Sequence, residues 1–283
     1  MSDILLRGQG ITRRWGGLVA VNDVGLELKR GEVHAVIGTN GAGKSTLINI
    51  LSGEIPPSAG TVQLLGQDVT AWSQPRRARA GLGRSYQRTT VYPGFSVLEN
   101  CRLAAQARTP RPWHWWQSAQ HCDASLGAAR QAAQRAGLAD VLSRPAGSLS
   151  HGEKRQLEIA MCLATAPQVL LLDEPLAGMG AEETDRMLAL LAALKAQHAI
   201  LLVEHDMDAV FRIADTITVM VNGVVIFSGA PAAVRSSPEV QAAYPGDHWD
   251  GARPNTSGPS AGPPPSRPAS PRGIDGRPRP AKG

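Results

Sequence analysis

The stretch Gly38-Thr39-Asn40-Gly41-Ala42-Gly43-Lys44-Ser45-Thr46 constrains this chain more than any other. It lies between an apolar strand-like run, Val33 to Ile37, and a helical run, Ser45 to Leu51. Closely spaced glycines let successive backbone N–H groups turn inward, and the helix that follows points its positive dipole end at the same place. Strand, glycine-rich loop and helix in that order form a cradle for phosphate oxygens. Lys44 has the reach for the β- and γ-phosphates, and the Ser45 hydroxyl suits Mg²⁺. A glycine turn that matches by accident would lack the flanking strand and helix, so the expectation is a nucleoside triphosphate site on an α/β core.

The rest of the chain can be read around that loop. Ile4 to Trp15, Val24 to Lys29 and Val33 to Ile37 read as strands, separated by Gly16-Gly17 and Arg30-Gly31 turns, and Thr61 to Leu65 reads as a further strand. Together they predict a small antiparallel β layer beside the nucleotide core. Gln74 to Arg88 carries five arginines, Arg76, Arg77, Arg79, Arg84 and Arg88, which read as a solvated helix face. From Ser96 to about Arg144 the sequence becomes rich in Ala, Gln and Leu without strand alternation, which predicts a helical insert, taken as residues 89–148. Within it, Pro112-Trp113-His114-Trp115-Trp116 holds three of the six tryptophans, read as packing between helices.

From Glu153 the pattern returns to helices alternating with strands. Val169 to Leu172 and Ala199 to Val203 are apolar throughout, as strands are when both faces of a parallel sheet are covered. Helices over Glu153 to Thr165, Ala181 to Ala196 and Met207 to Ile213, strand Thr216 to Val221 and a turn at Asn222-Gly223 into Val224 to Ser228 complete the ordered part. Its boundaries are set at residues 4–246.

Composition narrows the classes. From Gly251 onward, 15 of 33 residues are Pro or Gly, and Ile274 is the one large apolar side chain, so residues 247–283 read as a disordered tail. Of the net charge of +5, the tail holds +3, from six Lys/Arg against three Asp. The folded part is close to balanced, which argues against nucleic acid as its partner. No run approaches the roughly 18 apolar residues that span a bilayer, and Met1-Ser2-Asp3 lacks a basic, then apolar, leader, so a cytoplasmic location is expected. Cys101, Cys122 and Cys162 are odd in number and lack metal-ligand spacing, so they read as ordinary thiols.

Asp173 and Glu174 end the Val169 strand, and in parallel α/β sheets ligands bind at the carboxyl ends of strands. Asp173 suits the Mg²⁺ shell, and Glu174 is then the candidate base for an attacking water. His205, which follows the Ala199 strand in Glu204-His205-Asp206, can donate to a γ-phosphate oxygen. Gln87, where the β-rich section passes into the insert, offers an amide to Mg²⁺ or to the water. Leu149-Ser150-His151-Gly152-Glu153 places a serine and a glycine at a second helix N-terminus, hence a second anion site. One triphosphate does not need two such sites on one chain, so two chains facing head to tail are expected to share each ATP.

This set of motifs, in this order, resembles the ATP-binding subunit of ABC transporters over roughly Leu5 to Gly246. The resemblance matches Gly38 to Thr46 to the Walker A loop, with Gly38, Asn40, Gly41, Ala42, Gly43, Lys44, Ser45 and Thr46 as ATP contacts, and Gln87 to the Q-loop. It matches Ser150, Gly152 and Glu153 to the signature that contacts the facing ATP, Val169 to Glu174 to the Walker B strand, and His205 to the switch histidine. Trp15 falls where the family places a ring against adenine. Three positions depart from the pattern: His151 and Glu153 replace the usual Gly and Gln, and Gly180 replaces a common Asp. The implied cofactors are ATP and Mg²⁺, and the implied fold is the ABC ATPase fold, a P-loop core with an antiparallel β layer and a helical subdomain.

Trp15 to Val24, Ser96 to Asn100, Leu157 to Ala160 and Val203 to Asp208 look like the branched-chain amino acid importer subgroup. Urea importer subunits and the lipopolysaccharide-export ATPase are similar there, and a soluble ABC protein acting on nucleic acid is the alternative from another class. The resemblance implies a second ATP-binding subunit, identical or not, two transmembrane permease subunits contacted near Arg88 to Asn100, and a periplasmic or extracellular solute-binding protein. It implies a peripheral location on the cytoplasmic face of the inner membrane.

Overall fold

The computed structural model describes residues 3–86, 90–108 and 123–243. Gln87, Arg88, Cys122, the 112–116 segment and the 247–283 tail lie outside the described residues.

The chain opens with two long strands, β1 (Ile4–Trp15) and β2 (Leu18–Lys29), joined by the tight turn at Gly16 and Gly17. β3 (Val33–Gly38) leads into the glycine loop and α1 (Lys44–Ser52), and β4 (Ala59–Leu64) and β5 (Gln67–Asp68) follow. These make an antiparallel sheet in the order β2-β1-β4-β5. Then come α2 (Gln74–Arg79), β6 (Leu82–Arg84), α3 (Val97–Arg108), α4 (Asp123–Arg135) and α5 (His151–Ala164). The last third alternates β7 (Val169–Asp173), α6 (Ala181–Lys195), β8 (Ala199–Val203), α7 (Met207–Ile213), β9 (Thr216–Val221) and β10 (Val224–Gly229), ending in α8 (Pro231–Ser236) and α9 (Pro238–Ala243).

The second sheet has the order β10-β9-β3-β8-β7-β6 and is parallel except for β10. Every residue of β3, β7 and β8 is buried, and the period of two explains why. Ala35, Ile37, Leu170, Leu172, Ile200 and Leu202 face one core, built with the helices α3 to α9. Val36, Val169, Leu171, Leu201 and Val203 face the other, where α1 is held between the two sheets. α3, α4 and α5 pack on one another as a helical layer.

One expectation needs correction. Residues 74–88 are not one solvated helix face: α2 ends at Arg79, and Leu82 to Arg84 join the edge of the parallel sheet beside Val169 to Leu171. Arg77 is completely buried, with its guanidinium donating to the carbonyls of Ile50, Leu51, Thr70 and Trp72. Arg84 is nearly buried too, bonded to Asn49, Ser52 and Glu54. Arg77 thereby supplies donors to the last carbonyls of α1, while Arg84 binds side chains at the same helix end, where the dipole favours a cation. Cys101 and Cys162 are buried thiols, pushed up to about 12 by burial. Among the described residues no helix is long and apolar enough to cross a membrane.

Candidate functional site

The phosphate loop keeps its shape through two close approaches. A Cβ at Gly43, where φ is +96°, would lie 2.4 Å from Ala20 O, and one at Gly38 would lie 2.6 Å from Met220 O. Only glycine fits either position. The loop is further pinned by Ala42 N donating to Thr39 O and by Gly223 N donating to Ala42 O, both at 3.1 Å. Asn40, Gly41 and Ser45 are exposed along its outer side, Thr46 is half-buried, and α1 begins without a side-chain cap. Uncapped N–H groups at an exposed helix start fit an anion as the missing acceptor.

Lys44 is buried, and its ammonium donates to Gly38 O at 2.6 Å and Thr39 O at 3.1 Å. Burial lowers its pKa, while the carboxylates of Glu174 and Asp173 oppose that change. Asp173 ends β7, level with Val203 on β8, and its N–H donates to Ser85 Oγ at 3.3 Å. Burial raises its pKa, partly offset by Arg84 and Lys44. A buried cation and a buried carboxylate that each resist charge fit a site whose missing partners are phosphate oxygens and a divalent cation.

Glu174 sits in the left-handed region at φ +49°, with its N–H donating to Val203 O at 2.9 Å. That conformation costs a non-glycine residue about 1 kcal/mol. It turns the chain sharply at the strand end. His205 Nδ1 lies 3.9 Å from Glu174 Oε1 and 3.8 Å from Glu204 Oε2. Lys44, Asp173, Glu174 and His205 thus meet at the carboxyl ends of β3, β7 and β8.

Ser150, Gly152 and Glu153 stand apart from that cluster: among the described residues no hydrogen bond joins them to the 38–46 loop. Ser150 is the N-cap of α5, its Oγ accepting from Glu153 N at 3.2 Å while Glu153 Oε2 accepts from Ser150 N at 2.7 Å. Arg144 Nη1 lies 3.0 Å from Glu153 Oε1. The glutamate side chain is therefore engaged within its own helix start. Trp15 is 44% exposed, with the Arg13 guanidinium 5.0 Å from its ring centroid. Gln87 lies outside the described residues.

Two residues of the site were not singled out from sequence: Glu204, which accepts from Leu176 N and His205 N, and Ser85, which supports Asp173. His151, noted in the sequence only as a departure from the signature, has Nε2 2.9 Å from Ala177 O. The available signal was a charged residue directly after the apolar run Ala199 to Val203, which a buried strand end must satisfy.

Comparison with known proteins agrees with this geometry. A family model described as "ABC transporter" matches residues 21–177. The chain is 37% identical over 256 residues to the high-affinity branched-chain amino acid transport ATP-binding protein BraF of Pseudomonas aeruginosa, covering 87% of this chain and 100% of that one. It is 38% identical over 254 residues to LivG of Escherichia coli strain K12, with the same coverage. Among solved structures, a nucleotide-free ATP-binding cassette from an ABC transporter superposes with a TM-score of 0.77 at 28% identity, covering 86% of this chain and 100% of that chain. A dimeric bacterial ABC transporter cassette shares the fold, with a TM-score of 0.69 at 22% identity over 80% of this chain and 99% of that one. With a glycine cradle, a buried lysine and two strand-end carboxylates at one point, and relatives matched along their whole length, the chain belongs to the ABC transporter ATP-binding family.

Proposed function

We propose that residues 4–246 form the ATP-hydrolysing cassette of an importer for branched-chain amino acids, pairing head to tail with a second cassette beneath two permease subunits. A solute-binding protein outside the membrane would deliver the solute, and the cassette would sit peripherally on the cytoplasmic face. The observation that carries the reading is the meeting of Lys44, Asp173, Glu174 and His205 at three strand ends, in a chain whose relatives are branched-chain amino acid transport ATP-binding proteins.

In this reading the 38–46 loop and Lys44 hold the β- and γ-phosphates, Trp15 stacks on adenine, and Ser45, Asp173 and Gln87 hold Mg²⁺. The ion would neutralise charge on the transferred phosphoryl group. Lys44 leaves the carbonyls of Gly38 and Thr39 for phosphate oxygens, exchanging neutral acceptors for charged ones. Glu174 takes a proton from the attacking water, oriented by Gln87, and His205 donates to the γ-phosphate. Ser150, Gly152 and the start of α5 close on the ATP of the facing cassette.

Glu174→Gln keeps the shape of the turn and removes the base. The expected result is wild-type binding of a fluorescent ATP analogue, turnover down about 10²- to 10⁴-fold, and an ATP-bound dimer stable enough to resolve by size exclusion. Full hydrolysis by this variant would sink the base assignment. Uptake of leucine by vesicles carrying the co-purified complex tests the solute, and uptake of urea without leucine would redirect it.

A further inference from the structure

We infer that His151 is a positioning residue that ties the Ser150 half-site to the turn carrying Glu174 in the same chain, so that ATP engaged on one side favours hydrolysis on the other. The inference rests on the paired-cassette reading above.

His151 is the first residue of α5, directly after the N-cap Ser150. Its Nε2 lies 2.9 Å from the carbonyl oxygen of Ala177, 26 residues away. A carbonyl only accepts, so Nε2 carries the proton and donates. Ala177 N in turn donates to Glu174 O at 3.2 Å, closing a four-residue turn whose first member is Glu174. One side-chain hydrogen bond and one turn therefore separate the signature serine from the candidate base.

The surroundings accommodate that link. Gly178 has φ +74°, and a Cβ there would lie 3.3 Å from His151 Nε2, so a side chain at this position would press on the imidazole. A Cβ at Gly152 would lie 2.7 Å from Glu183 Oε1, so the first turn of α5 sits directly against α6. Leu176 N is held by Glu204 Oε1 at 2.8 Å. The Glu174–Ala177 turn is thus gripped by Glu204, next to His205, and by His151, next to Ser150.

An anion settling on Ser150 and the first N–H groups of α5 acts on the turn of helix that carries the imidazole. By linkage, whatever geometry at Ala177 suits that anion also shifts the Glu174 turn, and the effect is reciprocal for binding. A hydrogen bond of this kind is worth roughly two- to tenfold in an equilibrium.

The test measures steady-state ATP hydrolysis against ATP concentration for the full 283-residue chain, as wild type, His151→Ala and His151→Gln. Wild type is expected to show a Hill coefficient clearly above 1. His151→Ala should fall to about 1 with kcat down roughly two- to tenfold, while the protein stays folded by circular dichroism and still binds a fluorescent ATP analogue. The glutamine amide can donate to Ala177 O and should restore both quantities. If His151→Ala folds poorly, His151→Asn, whose amide is too short to reach, takes its place. A cooperative wild type with variants indistinguishable from it, a wild-type Hill coefficient of 1, or a glutamine variant as impaired as alanine overturns the inference alone. A wild-type chain inert towards ATP overturns the paired-cassette reading as well.

Discussion

Glu204 Oε1 accepts the backbone N–H of Leu176 at 2.8 Å, which fastens the loop after β7 to the strand end that precedes His205. Its other oxygen accepts from His205 N at 3.2 Å. The carboxylate is almost wholly buried, and burial raises its pKa against the two backbone donors that favour its charged form. One side chain thereby ties the loop after Glu174 to the backbone of His205.

Replacing Glu204 by alanine takes the acceptor from the buried N–H of Leu176 and from the half-buried N–H of His205. The expected loss of stability is about 2–4 kcal/mol, read from the urea midpoint. ATP turnover should fall about 10²-fold, because a shift of roughly 1 Å between reacting groups costs that much. Glu204→Gln keeps one acceptor and should lie between the two. Wild-type turnover in a folded Glu204→Ala protein would remove the carboxylate from the positioning machinery.

Arg77 is the second buried charge with a specific duty. Its guanidinium reaches Ile50 O and Leu51 O at 2.8 Å each, Thr70 O at 3.0 Å and Trp72 O at 3.2 Å. Burial brings its pKa down to about 10, so it remains charged at neutral pH. Arg77→Met would remove the buried side-chain donors to Leu51 O, Thr70 O and Trp72 O, with Ile50 O keeping only Gly53 N, at an expected cost of about 3–5 kcal/mol. The exposed Arg79→Ala should change the unfolding midpoint by no more than about 0.5 kcal/mol. Equal effects at the two positions would contradict the capping role.

Acid should weaken the fold through its buried histidines. His34 Nδ1 faces Glu27 O at 3.0 Å and Nε2 faces Thr218 Oγ1 at 2.8 Å, and burial lowers its pKa. His198 is lowered as well, by burial and then by Arg135. A histidine whose folded pKa lies below its unfolded value, about 6.5, contributes stability that is complete above that pH. Below it the unfolded chain binds more protons, and the contribution is lost as pH falls. Wild type should therefore lose more of its urea midpoint between pH 7.5 and 5.5 than His34→Gln. Buried acids such as Glu204 and Asp173 act in the opposite direction but are common to both proteins, so the difference isolates His34.

The sequence by itself determined the elements whose causes are local. The apolar runs Val33 to Ile37, Val169 to Leu172 and Ala199 to Val203 marked strands buried on both faces, and the observed strands differ from them by at most one residue. The glycines of the 38–46 loop and the Ser150–Glu153 spacing carried their backbone chemistry in neighbouring residues, which is why both motifs were legible. Tertiary structure alone decided what distant residues do for one another. Leu82 to Arg84 are too short and too basic to read as a strand until Val169 to Leu171 offer an edge. Arg77 looks solvated until α1 presents its carbonyls. His151 and Glu204 act on one turn only because the parallel sheet and α5 bring residues about 26 to 28 positions away within hydrogen-bond distance. Hydrogen bonds between residues so far apart leave no periodicity in the chain, since their partners are set by how the layers pack.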